Sequence, residues 1–179
     1  MKTKRFGVVS WMGAAVAAVV WLSLGATATY AAGKQDNSAT AAFAKIKSLA
    51  GNWEAETEKG KVTSSYEVVS NGSAVLEKIN VPGESEMVTV YHLDGNHLVL
   101  THYCTAGNQP RMQAQAYDPE SNQLVFKFAG GDNLSDPNTG HMHDAVLKFT
   151  GPDAFTADWT FHKDGKAAFT EAIQYHRVK

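Results

Sequence analysis

The feature that most constrains the fold is a two-residue alternation of polar and apolar side chains, which begins at residue 53 and continues in short segments to the C-terminus. In residues 53–58, for example, three glutamates alternate with Trp, Ala and Thr, so that a strand here has one solvated and one buried face. Turn residues separate the segments, and Asn71-Gly72 is a strong signal for a tight hairpin. The alternation predicts about ten strands, at residues 53–58, 62–69, 75–81, 87–93, 97–104, 111–117, 124–129, 143–150, 155–162 and 167–177.

One segment before these strands has helical periodicity. Residues 39–50 are rich in alanine, and their larger apolar side chains recur every three or four positions. Asn37 and Ser38 can accept the free backbone N–H groups of a first helical turn, and Gly51 suits the position just after a helix end. The sequence therefore predicts one short helix with a single apolar face.

Many short strands joined by tight hairpins, with a single helix, are typical of an all-β sandwich or barrel. Hairpin connections favour a meander that closes on itself, because closure removes exposed sheet edges. We therefore predict an all-β fold: an antiparallel meander β-barrel of about ten strands with one short N-terminal helix. A chain of 179 residues is long enough for one such domain.

The N-terminal segment has the three parts of a secretory signal peptide. Basic residues lie within the first six positions, residues 7–24 are uncharged and mostly apolar, and residues 26–32 are nearly all small. We predict a signal peptide over residues 1–31, cleaved after Ala31. The alternative is a transmembrane anchor, since the apolar stretch approaches the length that spans a bilayer.

Signal cleavage would leave a single domain over residues 32–179, periplasmic or secreted, without a stable membrane anchor. It would carry thirteen basic and eighteen acidic residues, a net charge of −5, because three of the sixteen basic residues precede the cleavage point. This acidic balance argues against a nucleic-acid partner. The single cysteine, Cys104, excludes an intramolecular disulfide framework and any metal site built from several cysteines. The sequence does not indicate an oligomeric state.

A resemblance to known barrels begins at the end of the helix. The run Leu49-Ala50-Gly51-Asn52-Trp53 resembles the glycine-x-tryptophan opening of the calycins, in which the tryptophan closes one end of the barrel beneath a basic residue of the last strand. Arg177 is at the matching place here. The ten predicted strands are similar to the fatty-acid-binding proteins and the nitrobindins. The chain as a whole resembles exported bacterial lipocalin-like proteins of unassigned function. The resemblance implies a barrel closed by Trp53 and Arg177.

The interior of a barrel of this size can hold one small ligand. The more apolar faces of the predicted strands carry many aromatic side chains, among them Phe126 and Trp159. Such a lining suits a small apolar or flat molecule. The alternative is a filled core, a structural or interaction domain without a ligand, because the two cases have the same alternation.

Two strands carry metal-ligand residue types near one end. His102 and Cys104 are two residues apart and share a face, and so do His141 and His143. In a meander, the end of the fifth strand and the start of the eighth lie at the same end of the barrel. His102, Cys104, His141 and His143 are therefore candidate metal ligands, although hydrogen-bonded structural histidines would give the same pattern.

The cofactor expected from the sequence is none, with haem or a transition metal as the alternatives. The resemblance to nitrobindins implies haem bound by a histidine near the C-terminus, where this chain has His176. Alternation from Tyr175 predicts that His176 faces solvent, so His102 and His143 are the better candidates for haem ligation.

Two cations are candidate partners for a ligand carboxylate. Tyr175 and Arg177 share a face of the last strand, and Arg111 follows a Gly-Asn-Gln-Pro turn near the barrel mouth. The sequence has no nucleophile elbow, P-loop or zinc-protease motif, which favours a binding protein over an enzyme. The predicted ligand-binding residues are His102, Cys104, Arg111, Phe126, His143, Trp159 and Tyr175.

Overall fold

The structure, a computed structural model, describes residues 37–115, 117, 119–136 and 138–179. The signal peptide proposed for residues 1–31 lies outside these residues and stays a prediction. Within the described part of the chain, no helix has the length and apolar character needed to cross a membrane.

One helix precedes ten strands in the described residues. The helix α1 spans Asn37–Ser48, and a short 3-10 turn at Ser70–Gly72 joins the second and third strands. The strands are β1 Gly51–Thr57, β2 Gly60–Val69, β3 Ala74–Asn80, β4 Met87–Asp94, β5 His97–Tyr103, β6 Gln109–Ala114, β7 Gln123–Asp132, β8 His141–Gly151, β9 Ala154–Lys163 and β10 Lys166–Arg177.

The strands form a closed antiparallel meander. Each strand pairs with its neighbour in sequence, and β1 pairs with β10 to close the sheet, with Trp53 opposite Arg177. The predicted fold class, an all-β barrel of about ten strands with one short helix, is confirmed.

The two ends of the barrel differ. At one end α1 packs against β2, β4 and β5, and we call this the helix end. The turns that follow β1, β3, β5, β7 and β9 border the opposite end, which we call the open end. This assignment of turns follows from the hairpin connectivity, because successive turns lie alternately at one end of the barrel and at the other.

The core joins the helix to the barrel interior. Ile46 and Leu49 on the apolar face of α1 are buried together with the inward side chains of the strands. Aromatic rings fill the helix end: Phe155 lies edge-on to Trp53 at 4.8 Å and stacks on Tyr175 at 4.9 Å between ring centroids. Burial of this apolar surface is the main driving force for folding.

Several boundaries differ from the sequence prediction by a few residues, and two of the differences have a clear physical reason. The helix ends at Ser48, two residues early, because Leu49 and Ala50 donate to carbonyl oxygens three residues back and tighten the last turn. Strand β7 continues through Gly130 and Gly131 to Asp132, which were predicted to be loop. Glycines carry no side-chain alternation, so this extension has no pattern in the sequence.

The closing interaction is centred on Arg177. Its guanidinium carbon lies 4.2 Å from the ring centroid of Trp53, and its nitrogens donate to the carbonyl oxygens of Ser48 and Ala50 at the end of α1 and to Asp153. Gly51, with φ +126°, leaves room for this: a Cβ there would lie 2.8 Å from the Arg177 Nη1 atom. One side chain therefore connects the last strand, the first strand and the helix.

We expect Arg177→Gln to lower the free energy of unfolding by about 2 kcal/mol, because the ring contact and the hydrogen bonds to α1 are lost together. Urea unfolding followed by tryptophan fluorescence measures the change. The exposed neighbour Lys179→Gln is the control, and it should stay within about 0.5 kcal/mol of the unmodified protein. Equal stability of the two variants would contradict the role given to Arg177.

Candidate functional site

His102 lies inside the barrel, on the inward face of β5. It is 2% exposed; its Nδ1 atom is 2.9 Å from the Thr89 hydroxyl on β4, and its ring is 5.0 Å from that of Trp159. Burial lowers the pKa of His102 to about 4, so the ring is neutral at pH 7. Its Nε2 atom is buried and has no hydrogen-bond partner among the described residues.

A buried carboxylate on β3 faces Thr89 from the neighbouring strand. Glu77 on β3 is 2% exposed and accepts hydrogen bonds from the hydroxyls of Tyr66 at 2.6 Å, Tyr91 at 2.7 Å and Ser64 at 3.1 Å. Burial raises the pKa of Glu77, and the hydroxyl donors act in the opposite direction. This cluster was not predicted from the sequence, although alternation puts Glu77 on the more apolar face of β3, with Val75 and Ile79.

The mouth cavity lies at the open end, one layer outward from His102. It has a volume of about 530 Å³, and its apolar lining comes from inward positions of three strands and from Met87 at the start of β4. Cys104 lines it, two residues beyond His102. The apolar lining residues are Met87, Met142, Phe161 and Phe169.

Phe169 is the exposed part of this lining. Its side chain is 52% exposed and stacks on Phe161 with a 5.1 Å separation of the ring centroids. An aromatic ring that is exposed on the inward face of a barrel mouth offers a surface for a flat or apolar molecule.

Three charged side chains border the mouth cavity. The Lys59 ammonium lies 2.9 Å from Glu84 and 3.4 Å from Glu171, so it connects the turn after β1 with the loop after β3 and with β10. Its pKa is raised chiefly by the hydrogen bond to Glu84. The border thus carries one positive and two negative charges.

The histidine cavity is a second cavity at the open end, with a volume of about 620 Å³. His141 and His143 on β8 and His162 on β9 line it together with Phe128. The rings of His143 and His162 stack at 3.8 Å, and Phe128 lies 5.1 Å beyond His143 in the same column. Burial, and secondly the neighbouring His143, lower the pKa of His162, which favours its neutral form.

A β-bulge and a folded loop shape the histidine cavity. The β8–β9 register shifts between Met142 and Asp144, which places an extra residue, His143, on β8. The loop after β7 supplies Leu134 as a further wall. Leu134 packs on Gly131, where a Cβ would lie 2.9 Å from its Cδ1 atom.

The structure separates the predicted site residues into groups. His102 and Trp159 are adjacent in the interior, and Phe126 is fully buried deeper in the barrel. Tyr175 is in the ring stack at the helix end, away from both cavities. Arg111 lies on the exposed surface, 3.9 Å from Asp132.

Of the four candidate metal ligands, His141 and His143 come together in the histidine cavity, with ring centroids 5.5 Å apart. Cys104 instead lines the mouth cavity, and His102 lies beneath it. The structure adds His162, which sequence reasoning missed. His162 directly opposes His141 across the β8–β9 pair, and only the strand register reveals this.

No protein-family model matches this chain, and no curated protein matches it. The closed antiparallel meander of ten strands in the described residues is consistent with a calycin-like fold. Fold and cavities together define a β-barrel that can bind ligands.

We expect the ring of His102 to keep its neutral form from pH 8 down to pH 5 and to titrate with a midpoint near 4, because burial disfavours the imidazolium. Histidine ring resonances in a two-dimensional NMR titration measure the midpoint. In the urea-unfolded protein the same ring should titrate near 6.5. Equal midpoints in the folded and unfolded states would contradict the buried position of this side chain.

We expect Glu77 to make stability depend on pH. Its folded pKa is raised, whereas the unfolded carboxyl ionises near 4.5, so wild-type protein should lose stability relative to Glu77→Gln as pH rises above 4.5. The slope is at most about 1.4 kcal/mol per pH unit. Urea unfolding of both proteins between pH 4.5 and pH 8 measures this difference. Exposed Glu67→Gln is the control, and a pH-independent difference between wild type and Glu77→Gln would be evidence against the prediction.

Proposed function

We propose that this chain is an exported, non-enzymatic binding protein that holds a small apolar or flat ligand in the mouth cavity. The observation that carries the proposal is the exposed Phe169–Phe161 stack on the inward face of the open end. A volume of about 530 Å³ is within the range of small-molecule pockets, roughly 300–1,000 Å³.

The packing of the barrel interior supports a ligand at the mouth and not deeper. Phe126 is 0% exposed and Trp159 is 6% exposed, and Phe126 packs edge-on to Tyr91. Neither residue lines the mouth cavity or the histidine cavity. A molecule placed beside them would have to displace these rings, whereas the mouth cavity is already present.

The border charges favour a particular kind of ligand. Glu84 and Glu171 outnumber Lys59, and both carboxylates already pair with its ammonium. An anionic head group would meet net negative charge there. We therefore infer a ligand whose polar part, if it has one, is neutral or cationic.

Two parts of the proposal, that the chain is exported and that it is not an enzyme, are based on the sequence. Residues 1–31 have the organisation of a signal peptide, and the sequence has no nucleophile elbow, P-loop or zinc-protease motif. A binding protein in the periplasm or outside the cell agrees with both observations.

Titration with N-phenyl-1-naphthylamine, a neutral and flat fluorescent probe, tests the proposal. We expect saturable binding at one site, and we expect Phe169→Ala to weaken it about tenfold, equivalent to about 1.4 kcal/mol, because one face of the probe loses its aromatic contact. The anionic probe 1-anilinonaphthalene-8-sulfonate should bind more weakly than the neutral one.

Tyr103→Ala is the matched control. Tyr103 is 48% exposed, close to the 52% of Phe169, but it lies on the outward-facing side of β5 at the same end of the barrel. Binding should be unchanged in this variant. Equal losses in the two variants, or the lack of saturable binding to the unmodified protein, would favour the filled-core alternative.

A further inference from the structure

The histidine cavity brings together nitrogen and oxygen donors from two adjacent strands. His143, Asp144 and His162 each offer a ligand atom, and these atoms all lie within 4.8 Å of one another. His141 lies beside them, with its ring centroid 5.5 Å from that of His143 and 6.5 Å from that of His162. Three imidazoles around one tetrahedral zinc ion have ring centroids about 5 Å apart. Coordination therefore requires the stacked rings of His143 and His162 to separate and the His162 ring to move closer to that of His141.

His141 supplies an observation that points to a ligand independently of this clustering. Its Nδ1 atom donates to the carbonyl oxygen of Thr139 at 2.6 Å, which leaves a lone pair on Nε2. That Nε2 atom is buried on a side chain only 5% exposed, and it has no hydrogen-bond partner among the described residues. A buried acceptor without a partner is costly, and coordination of a cation would satisfy it.

The surroundings resemble the outer shell of a metal site. Metal-binding histidines usually donate their second ring N–H to a backbone carbonyl or a carboxylate. His141 does so toward Thr139, and His143 does so toward the Asp144 carboxylate at 3.2 Å. The second Asp144 oxygen pairs with Lys127 at 3.3 Å, so this carboxylate is better suited to orient His143 than to bind the ion directly.

We propose that His141, His143 and His162 bind a divalent transition-metal ion such as Zn²⁺ and that Asp144 positions His143. Three imidazoles form a donor set that such ions prefer. A fourth coordination position is left for water or a small ligand. This site is separate from the mouth cavity, so its test does not depend on the proposed ligand binding.

Calorimetric titration of the chelator-treated full chain, prepared without a polyhistidine tag, with Zn²⁺ tests the proposal. We expect one equivalent to bind. His162→Gln and His143→Gln should each weaken binding by more than about 100-fold, and Asp144→Asn by about 10- to 100-fold, the usual loss for an outer-shell partner. Substitution by Co²⁺ should give the intense visible absorption of a four-coordinate ion.

His92→Gln is the matched control, because His92 lies on β4 near the helix end, and Zn²⁺ affinity should not change in it. Circular dichroism checks the fold of each variant; if His162→Gln unfolds, the His143→Gln titration decides. The proposal is overturned if the unmodified protein shows no stoichiometric Zn²⁺ binding. Equal affinities of the His162→Gln, His143→Gln and His92→Gln proteins would overturn it as well.

Discussion

The barrel depends on the seam where its first and last strands meet, because the meander becomes a closed sheet only there. The β1–β10 pairing is short, and Arg177 extends it by lying on Trp53 and by binding the last carbonyl oxygens of α1. Those carbonyls have no partner within the helix, and a cation is favourable near them. The Trp53 indole N–H donates to another of them, on Leu49. The side chains of Arg177 and Trp53 therefore both close the sheet and attach the helix to it.

The helix α1 and the stacked aromatic rings cover the helix end, whereas Cys104, His141 and His143 lie at the open end. Polar groups lie in one row across three strands of the interior: Glu77 faces Thr89 across the β3–β4 pair, and Thr89 faces and contacts His102 on β5. Beyond His102 lie the two cavities. The mouth cavity has thioether and aromatic walls, whereas the histidine cavity offers imidazoles and one carboxylate nearby. One end of the barrel thus has two neighbouring surfaces that suit different ligands.

Much of the fold could be predicted from local patterns, because each pattern reports on one strand at a time. Alternation located all ten strands, and helical periodicity located α1 to within two residues. The site was harder to predict. His141 and His143 were recognisable as a pair two residues apart, but His162 joins them through the β8–β9 register and a bulge. Alternation puts Glu77 on the apolar face of β3, but its three hydroxyl donors come from β2 and β4 and could not be predicted from β3 alone.

The sequence by itself determined the all-β class, the number of strands, the order of the hairpins and the pairing of residues that share a strand face. These follow from side-chain periodicity and turn chemistry, which act over a few residues. The tertiary structure determined which residues of different strands contact each other. It placed Cys104 with Phe161 and Phe169, separated it from His141, and joined His141 to His162. These are contacts between strands, and they depend on register, on one bulge and on glycines whose missing side chains allow close approach.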